Sequence, residues 1–146
     1  MNQSVIGYLI GGFIPAILYG VYNILQKASS QHKISPGMYL IVVGICAITI
    51  GTAYCVIFKE YTISPTSGFY ATLNGVVWGV ATCLIALAYS HFKMPVSKLV
   101  PIFNTNTLVA VILGLIIFSE WKTVNSPKVI IGAILVIIGG TLSTNA

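Results

Sequence analysis

The sequence is almost devoid of ionic side chains. Its 146 residues include two glutamates, no aspartate and no arginine, and only 6% of the chain is charged. In soluble domains about a quarter of the residues are charged, and these residues cover the surface. This shortage excludes a water-soluble globular domain. Hydrophobic residues make up 57% of the chain and the mean hydropathy is +0.97, which predicts a polytopic membrane protein instead.

Other scarcities exclude further functions. The seven lysines are spread singly, so the basic patch that nucleic-acid binding requires is missing. Cys46, Cys55 and Cys83 form no CxxC pair and have no histidine at metal-ligand spacing, which predicts buried free thiols and no metal site. The sequence also has no nucleophile motif, carboxylate pair, HExxH motif or glycine-rich phosphate loop. We therefore expect no enzyme, no catalytic residue and no cofactor.

Charged residues divide the chain into apolar stretches, because a lysine or glutamate at the bilayer centre costs a few kcal/mol. The division predicts an all-α integral membrane protein whose five transmembrane helices form one domain over residues 1–146, in the cell (plasma or inner) membrane. The predicted helices span about residues 5–26, 36–58, 68–90, 96–119 and 127–144. Proline and small polar residues precede or open most of them, as at helix starts. The loops are too short to hold a soluble domain.

The lysines give no clear orientation in the membrane. Loops on the side of the N-terminus hold Lys59, Lys122 and Lys128, and loops on the other side hold Lys27, Lys33, Lys93 and Lys98. Proteins with one orientation normally show an excess of lysine and arginine on the cytoplasmic side. The balance favours dual topology, in which copies insert both ways and pair antiparallel.

Polar side chains within the spans suggest a site, since each needs a partner or a wet cavity in the membrane. They form stripes on the first and third helices (Pro15, Tyr19 and Asn23, with Tyr22 beside them; Asn74, Trp78 and Thr82) and a patch in the fourth (Pro101 and residues 104–107). From these we predict six residues lining a substrate pathway: Tyr19, Asn23, Asn74, Trp78, Asn104 and Thr105.

Three other observations bear on this interpretation. The same asparagines and threonines could equally bond a neighbouring helix or their own backbone. No titratable residue lies clearly within a span, which favours facilitated passage over proton coupling. Small residues also recur at a spacing of four, as at Gly7 and Gly11 or at Gly12, Ala16 and Gly20, and predict surfaces of close helix packing.

A family resemblance covers nearly the whole chain. Residues 118–121 (Phe-Ser-Glu-Trp), followed by the glycine-marked stretch 131–140, resemble the end of the EamA-type repeat of the drug/metabolite transporter superfamily. Residues 15–27 resemble the first helix of that repeat, and residues 75–89 resemble its third. Many members carry a proline in the middle of the fourth helix, where this chain has Thr107, with Pro101 nearer the helix start.

The resemblance implies half of a transporter. Members commonly contain two inverted five-helix repeats, move small solutes by alternating access, and form their cavity from the first, third and fourth helices of each repeat. A single repeat then implies an antiparallel homodimer that carries a small polar metabolite such as a sugar or an amino acid, with the lipid bilayer as its environment. The first helix lacks the glutamate of four-helix multidrug exporters, which disfavours drug–proton antiport. Two alternatives stay open: half of a heterodimeric transporter, and a non-transporting accessory or scaffold protein.

Overall fold

The computed structural model describes residues 3–144, which contain helices and turns but no strand. The helices are α1 (Gln3–Gln31), α2 (Pro36–Phe58), α3 (Pro65–Ser90), α4 (Val96–Ile117) and α5 (Ser126–Thr144). Each has the length and apolar composition needed to cross a membrane. The predicted all-α fold with five membrane-spanning helices is confirmed.

Helix starts follow from local hydrogen bonding. The Ser35 hydroxyl accepts from the Met38 amide at 3.4 Å before α2, and Pro36 occupies the first turn. Before α3, Ser64 and Ser67 form a reciprocal capping box in which each side chain accepts from the other residue's amide. These bonds satisfy amide groups that have no partner within the helix.

Three lysines mark the ends of the first three helices. Lys33, Lys59 and Lys93 follow α1, α2 and α3 and adopt left-handed φ angles of 65°, 55° and 52°. A left-handed residue turns the chain away from a helix end, although this conformation is less favourable for lysine than for glycine. The lysines thus lie where the chain leaves each helix.

The chain divides into two compact units, one of α1 to α3 that ends at Lys93 and one of α4 and α5 that begins at Met94. In the first unit α3 packs against both α1 and α2. Its buried residues are Asn23, Gln26 and Ser30 on α1, Tyr39 on α2, and Gly79, Thr82, Ala86 and Tyr89 on α3. No residue in 3–21 or 65–78 is buried. The first unit is therefore packed at one end and open at the other.

In the second unit, α4 is interrupted. It consists of Val96–Phe103 and Asn106–Ile117, and α5 packs against both segments. Pro101 lies inside the first segment, where it lacks an amide donor and its ring crowds the preceding turn. The break at residues 104–105 follows within one turn of this proline.

The three cysteines are free, as predicted, but their predicted burial is wrong. Cys46 is exposed, and Cys55 and Cys83 are half-buried. A cysteine on the outer face of a membrane helix meets lipid instead of water. Its weakly polar thiol is therefore stable there without being buried within the protein.

Candidate functional site

The buried residues of the first unit include a group of polar side chains, here called the polar cluster: Asn23, Gln26, Ser30, Tyr39, Thr82 and Tyr89. On α1 its members are spaced by three and four residues, and on α3 by seven, so each set lies on one face of its helix. Packing of α3 on α1 and α2 brings these faces together. Because these helices are otherwise mostly apolar, the cluster is a local concentration of hydrogen-bonding groups.

Gln26 is the most deeply buried member of the polar cluster. Its Nε2 donates to the backbone oxygen of Thr82 at 3.2 Å, and its side chain is 0% exposed. Its Oε1 has no hydrogen-bond partner. One turn later the Ser30 hydroxyl donates to the Gln26 backbone oxygen at 3.0 Å. Gln26 thus joins α1 to α3 with its amide nitrogen and leaves a strong acceptor unused.

Tyr89 carries a second unused group. The side chain is 1% exposed, and its hydroxyl has no hydrogen-bond partner. The Lys27 ammonium lies over the ring, 5.2 Å from its centroid. This cation–π contact gives the lysine a favourable place inside the helix, so α1 continues past the charge that we expected to end it.

Three further tyrosines of the first unit contact one another in sequence. The phenol group of Tyr39 makes a side-chain hydrogen-bond contact with Tyr22. The ring of Tyr22 meets the ring of Tyr19 edge-on, with centroids 6.1 Å apart and planes at 84°. A line of aromatic rings therefore runs from the buried cluster to the exposed part of α1, where Tyr19 is 62% exposed.

Of the four predicted pathway residues in the first unit, one is buried and three are exposed. Asn23 belongs to the buried cluster, whereas Tyr19, Asn74 and Trp78 lie on exposed faces. Helices α1 and α3 run in the same direction, because α2 reverses the chain between them. With Gln26 opposite Thr82, the helical rise puts Tyr19 and Asn74 at about the same level. These exposed residues thus continue the cluster toward the open end.

Asn104 and Thr105 lie at the break in α4. Asn104 lines a cavity of about 180 Å³ together with Pro101, Val136, Gly139, Gly140 and Ser143. The Thr105 hydroxyl donates to the Ile102 backbone oxygen at 2.7 Å, and the Thr105 amide donates to the same oxygen at 3.1 Å. Asn104 therefore faces open space, whereas the Thr105 hydroxyl is occupied by the backbone.

Sequence reasoning missed Gln26, Ser30, Tyr39 and Tyr89. Gln26 follows Tyr19 by seven residues and Asn23 by three, so helical spacing alone would have added it to the predicted stripe. It was missed because the helix was expected to end there, before Lys27. Tyr89 likewise lies seven residues after Thr82 but next to a predicted helix end.

The arrangement offers neutral hydrogen-bonding groups and aromatic rings. Within residues 3–144 there is no group of three or more His, Cys, Asp or Glu side chains that could hold a metal ion. Amides and phenols can bond the hydroxyl groups of a neutral polar solute, and rings can cover its apolar faces.

Five helices long and apolar enough to cross a membrane define a multi-pass membrane protein. A family model described as "Sugar transport protein" matches residues 9–146. The chain therefore belongs to the sugar transport protein family, and it is a membrane transporter. No curated protein and no solved structure matches the chain.

Proposed function

We propose that the chain is half of a carrier that moves a sugar, or a related small polar metabolite, across the cell (plasma or inner) membrane. Two copies of the chain, paired antiparallel, complete the transporter, and the solute passes by alternating access. The family match supports a sugar, and the resemblance to an EamA-type repeat supports the inverted pairing.

The observation that carries this proposal is the pair of unpaired polar atoms, Gln26 Oε1 and the Tyr89 hydroxyl oxygen. A buried polar group without a partner costs about 1–3 kcal/mol, and in lipid no solvent relieves that cost. A bound solute with several hydroxyl groups relieves it, because a hydroxyl can donate to Gln26 and either donate to or accept from Tyr89.

Aromatic rings complete the proposed contact surface. Tyr19 and Tyr22 on α1 and Trp78 on α3 provide faces against which the carbon-bound hydrogens of a sugar ring can pack. Asn74, and Asn104 and Thr105 of the second unit, extend the proposed pathway. With Asn23, and without Tyr22, these are the six residues predicted from the sequence.

A second copy is proposed because a polar face is left uncovered. Tyr19 and Asn74 are exposed in the part of the first unit where no residue is buried. Polar groups facing lipid are unfavourable, so this face needs a protein or aqueous neighbour. The even distribution of lysines fits two copies of opposite orientation.

The test is flux of radiolabelled sugars into liposomes that contain only the purified chain. Tyr89→Phe removes one hydroxyl oxygen and should lower transport about ten-fold, the effect of losing one hydrogen bond of about 1.4 kcal/mol. Tyr70→Phe removes the same atom from an exposed ring of the same helix and should transport normally.

Equal flux in these two variants would exclude Tyr89 from the site. Absence of flux for every neutral polar metabolite tested, with correctly folded protein, would favour an accessory role. Flux restored only by another half-size repeat would favour the heterodimer.

The asparagines give a second test. Asn74→Leu and Asn104→Leu remove amides from exposed positions, so we expect transport to be abolished while the dimer persists on size-exclusion chromatography. Normal transport in both variants would remove these residues from the pathway.

The antiparallel arrangement is tested separately, with C-terminal reporters active only inside or only outside the cell. Dual topology requires signal from both reporters. Signal from one alone would contradict the antiparallel homodimer but leave the sugar assignment standing.

A further inference from the structure

A second cavity opens at the end of the first unit where the polar cluster lies. It measures about 600 Å³ and is lined by residues from the α1–α2 connection and from the end of α3. Its basic and hydroxyl-bearing lining residues are Lys33, His91, Lys93, Ser30, Ser35 and Ser90. Because it lies at the helix ends, it is at the depth of lipid headgroups and within reach of aqueous solutes.

The charge of this cavity is unbalanced. Two lysines line it, and the first unit contains one acidic residue, Glu60. Glu60 follows the far end of α2, a helix of 23 residues, so at 1.5 Å per residue it lies roughly 35 Å away along the helix axis. No carboxylate of this unit is therefore close enough to neutralise Lys33 and Lys93.

A simpler role exists for a single lysine at these positions. A cation just past the end of a helix interacts favourably with the partial negative charge of the terminal carbonyl groups. Lys59 at the end of α2 fits that role alone, with the same left-handed backbone as Lys33 and Lys93. What distinguishes Lys33 and Lys93 is that both line one cavity with further polar groups.

We propose that this cavity binds a phosphate group, carried either by an anionic lipid headgroup or by a free solute. Lys33 and Lys93 line the cavity and provide positive charge. The Ser35 hydroxyl accepts from the Met38 amide, so its own O–H remains to donate to a phosphate oxygen. Ser30 connects the cavity to the polar cluster through its bond to the Gln26 backbone oxygen. The phosphate site is thus additional to the proposed sugar pathway and adjoins it.

The experiment measures binding to the full-length chain at low ionic strength. One arm titrates inorganic phosphate against detergent-purified protein and records the melting temperature. The other places the protein in nanodiscs of phosphatidylcholine with or without phosphatidylglycerol and records the same quantity. The variants are Lys33→Gln, Lys93→Gln and their combination, with Lys59→Gln as the matched control and Lys33→Arg/Lys93→Arg retaining the charge.

We expect one of the two probes to raise the melting temperature of the wild type. Each glutamine substitution in the cavity should lower the apparent affinity for that probe about five-fold, so that about five times more probe is needed for the same rise in melting temperature. Lys59→Gln and the double arginine variant should respond like the wild type. A response to phosphatidylglycerol alone identifies a lipid headgroup, and a response to inorganic phosphate identifies a soluble anion.

The proposal is overturned if neither probe stabilises the wild type. It is equally overturned if Lys59→Gln weakens the response as much as Lys33→Gln, because the effect then belongs to charge at helix ends in general. Circular dichroism of each variant separates loss of binding from loss of fold. Sugar flux is measured independently, so a negative result here leaves the transport proposal intact.

Discussion

The two units make their helix contacts in opposite ways. In the first unit, α1 and α3 meet through side chains, with Gln26 reaching the backbone of Thr82. In the second unit, α4 and α5 meet where a side chain is missing: a Cβ at Gly140 would lie 2.8 Å from the Pro101 backbone oxygen. The first contact depends on polar groups that are present, and the second depends on the absence of one carbon atom.

The contrast between the two contacts indicates which unit can bind a solute. The Gln26 side chain can rotate, so the first unit can offer the unused Oε1 to a ligand or exchange the bond from Nε2 to Thr82 for a bond to a ligand. The close approach in the second unit is fixed by backbone atoms. We therefore expect recognition to depend mainly on the first unit, and stability of the α4–α5 contact to depend on Gly140.

The largest effect is expected at Gly140. Gly140→Leu forces α5 away from the Pro101 carbonyl and should lower the free energy of unfolding by about 3 kcal/mol. The matched control is Gly139→Leu, because a Cβ at Gly139 meets no atom within 4 Å. Unfolding titrations in mixed detergent micelles provide the measurement, and equal losses in both variants would show that the close approach is not limiting.

The corresponding change in the first unit is Ala86→Leu. Ala86 is 2% exposed and lies on the buried face of α3, so added volume should cost about 2 kcal/mol. Ala81→Leu places the same side chain on an exposed position of the same helix. A loss at Ala86 larger than that at Gly140 would reverse the ranking of the two contacts.

A smaller effect is expected at the break in α4. Thr105→Val removes the hydroxyl that donates to the Ile102 backbone oxygen at 2.7 Å and should cost about 1 kcal/mol. Thr107→Val, at an exposed position on the other side of the break, serves as the control. If the two variants unfold alike, the Thr105 hydroxyl contributes nothing to the interruption.

The smallest change in stability is expected for Tyr89→Phe. The hydroxyl has no partner in the described part of the chain, so its removal should leave the free energy of unfolding within about 0.5 kcal/mol or raise it. The same variant is expected to transport about ten-fold more slowly. A clear loss of stability would show that this hydroxyl is bonded in the resting protein and would weaken the case for a solute there.

Much of the fold could be predicted from composition alone. A chain with two glutamates and seven isolated lysines leaves uninterrupted apolar stretches long enough to cross a bilayer, and the number of helices follows from their count. The prolines at positions 36 and 65 open helices as expected. The end of α1 was misplaced because the cation–π contact of Lys27 with Tyr89 depends on tertiary packing.

The candidate site could be predicted only in part. Helical spacing located the faces of α1 and α3, since Asn23 and Thr82 belong to the buried cluster. Helical spacing could not distinguish buried from exposed positions on one stripe. Burial depends on which part of each helix contacts its neighbours, and the sequence does not show this. Tyr19, Asn74 and Trp78 continue the stripes beyond that contact, and their role stays a proposal.

One irregularity near the start of the chain has a geometric consequence. Residues Leu9–Phe13 form a π-helical turn within α1, and such a turn contains one residue more than regular helical winding requires. In regular winding each extra residue would rotate everything before it by about 100° around the axis. Regular winding would set Gly7 and Gly12, which are five residues apart, about 140° apart around the axis, whereas the extra residue reduces this separation to about 40°. Deleting one residue from the turn should therefore restore regular winding and leave the leading segment on the same side of the helix, so the π turn accommodates one extra residue without turning the segment before it.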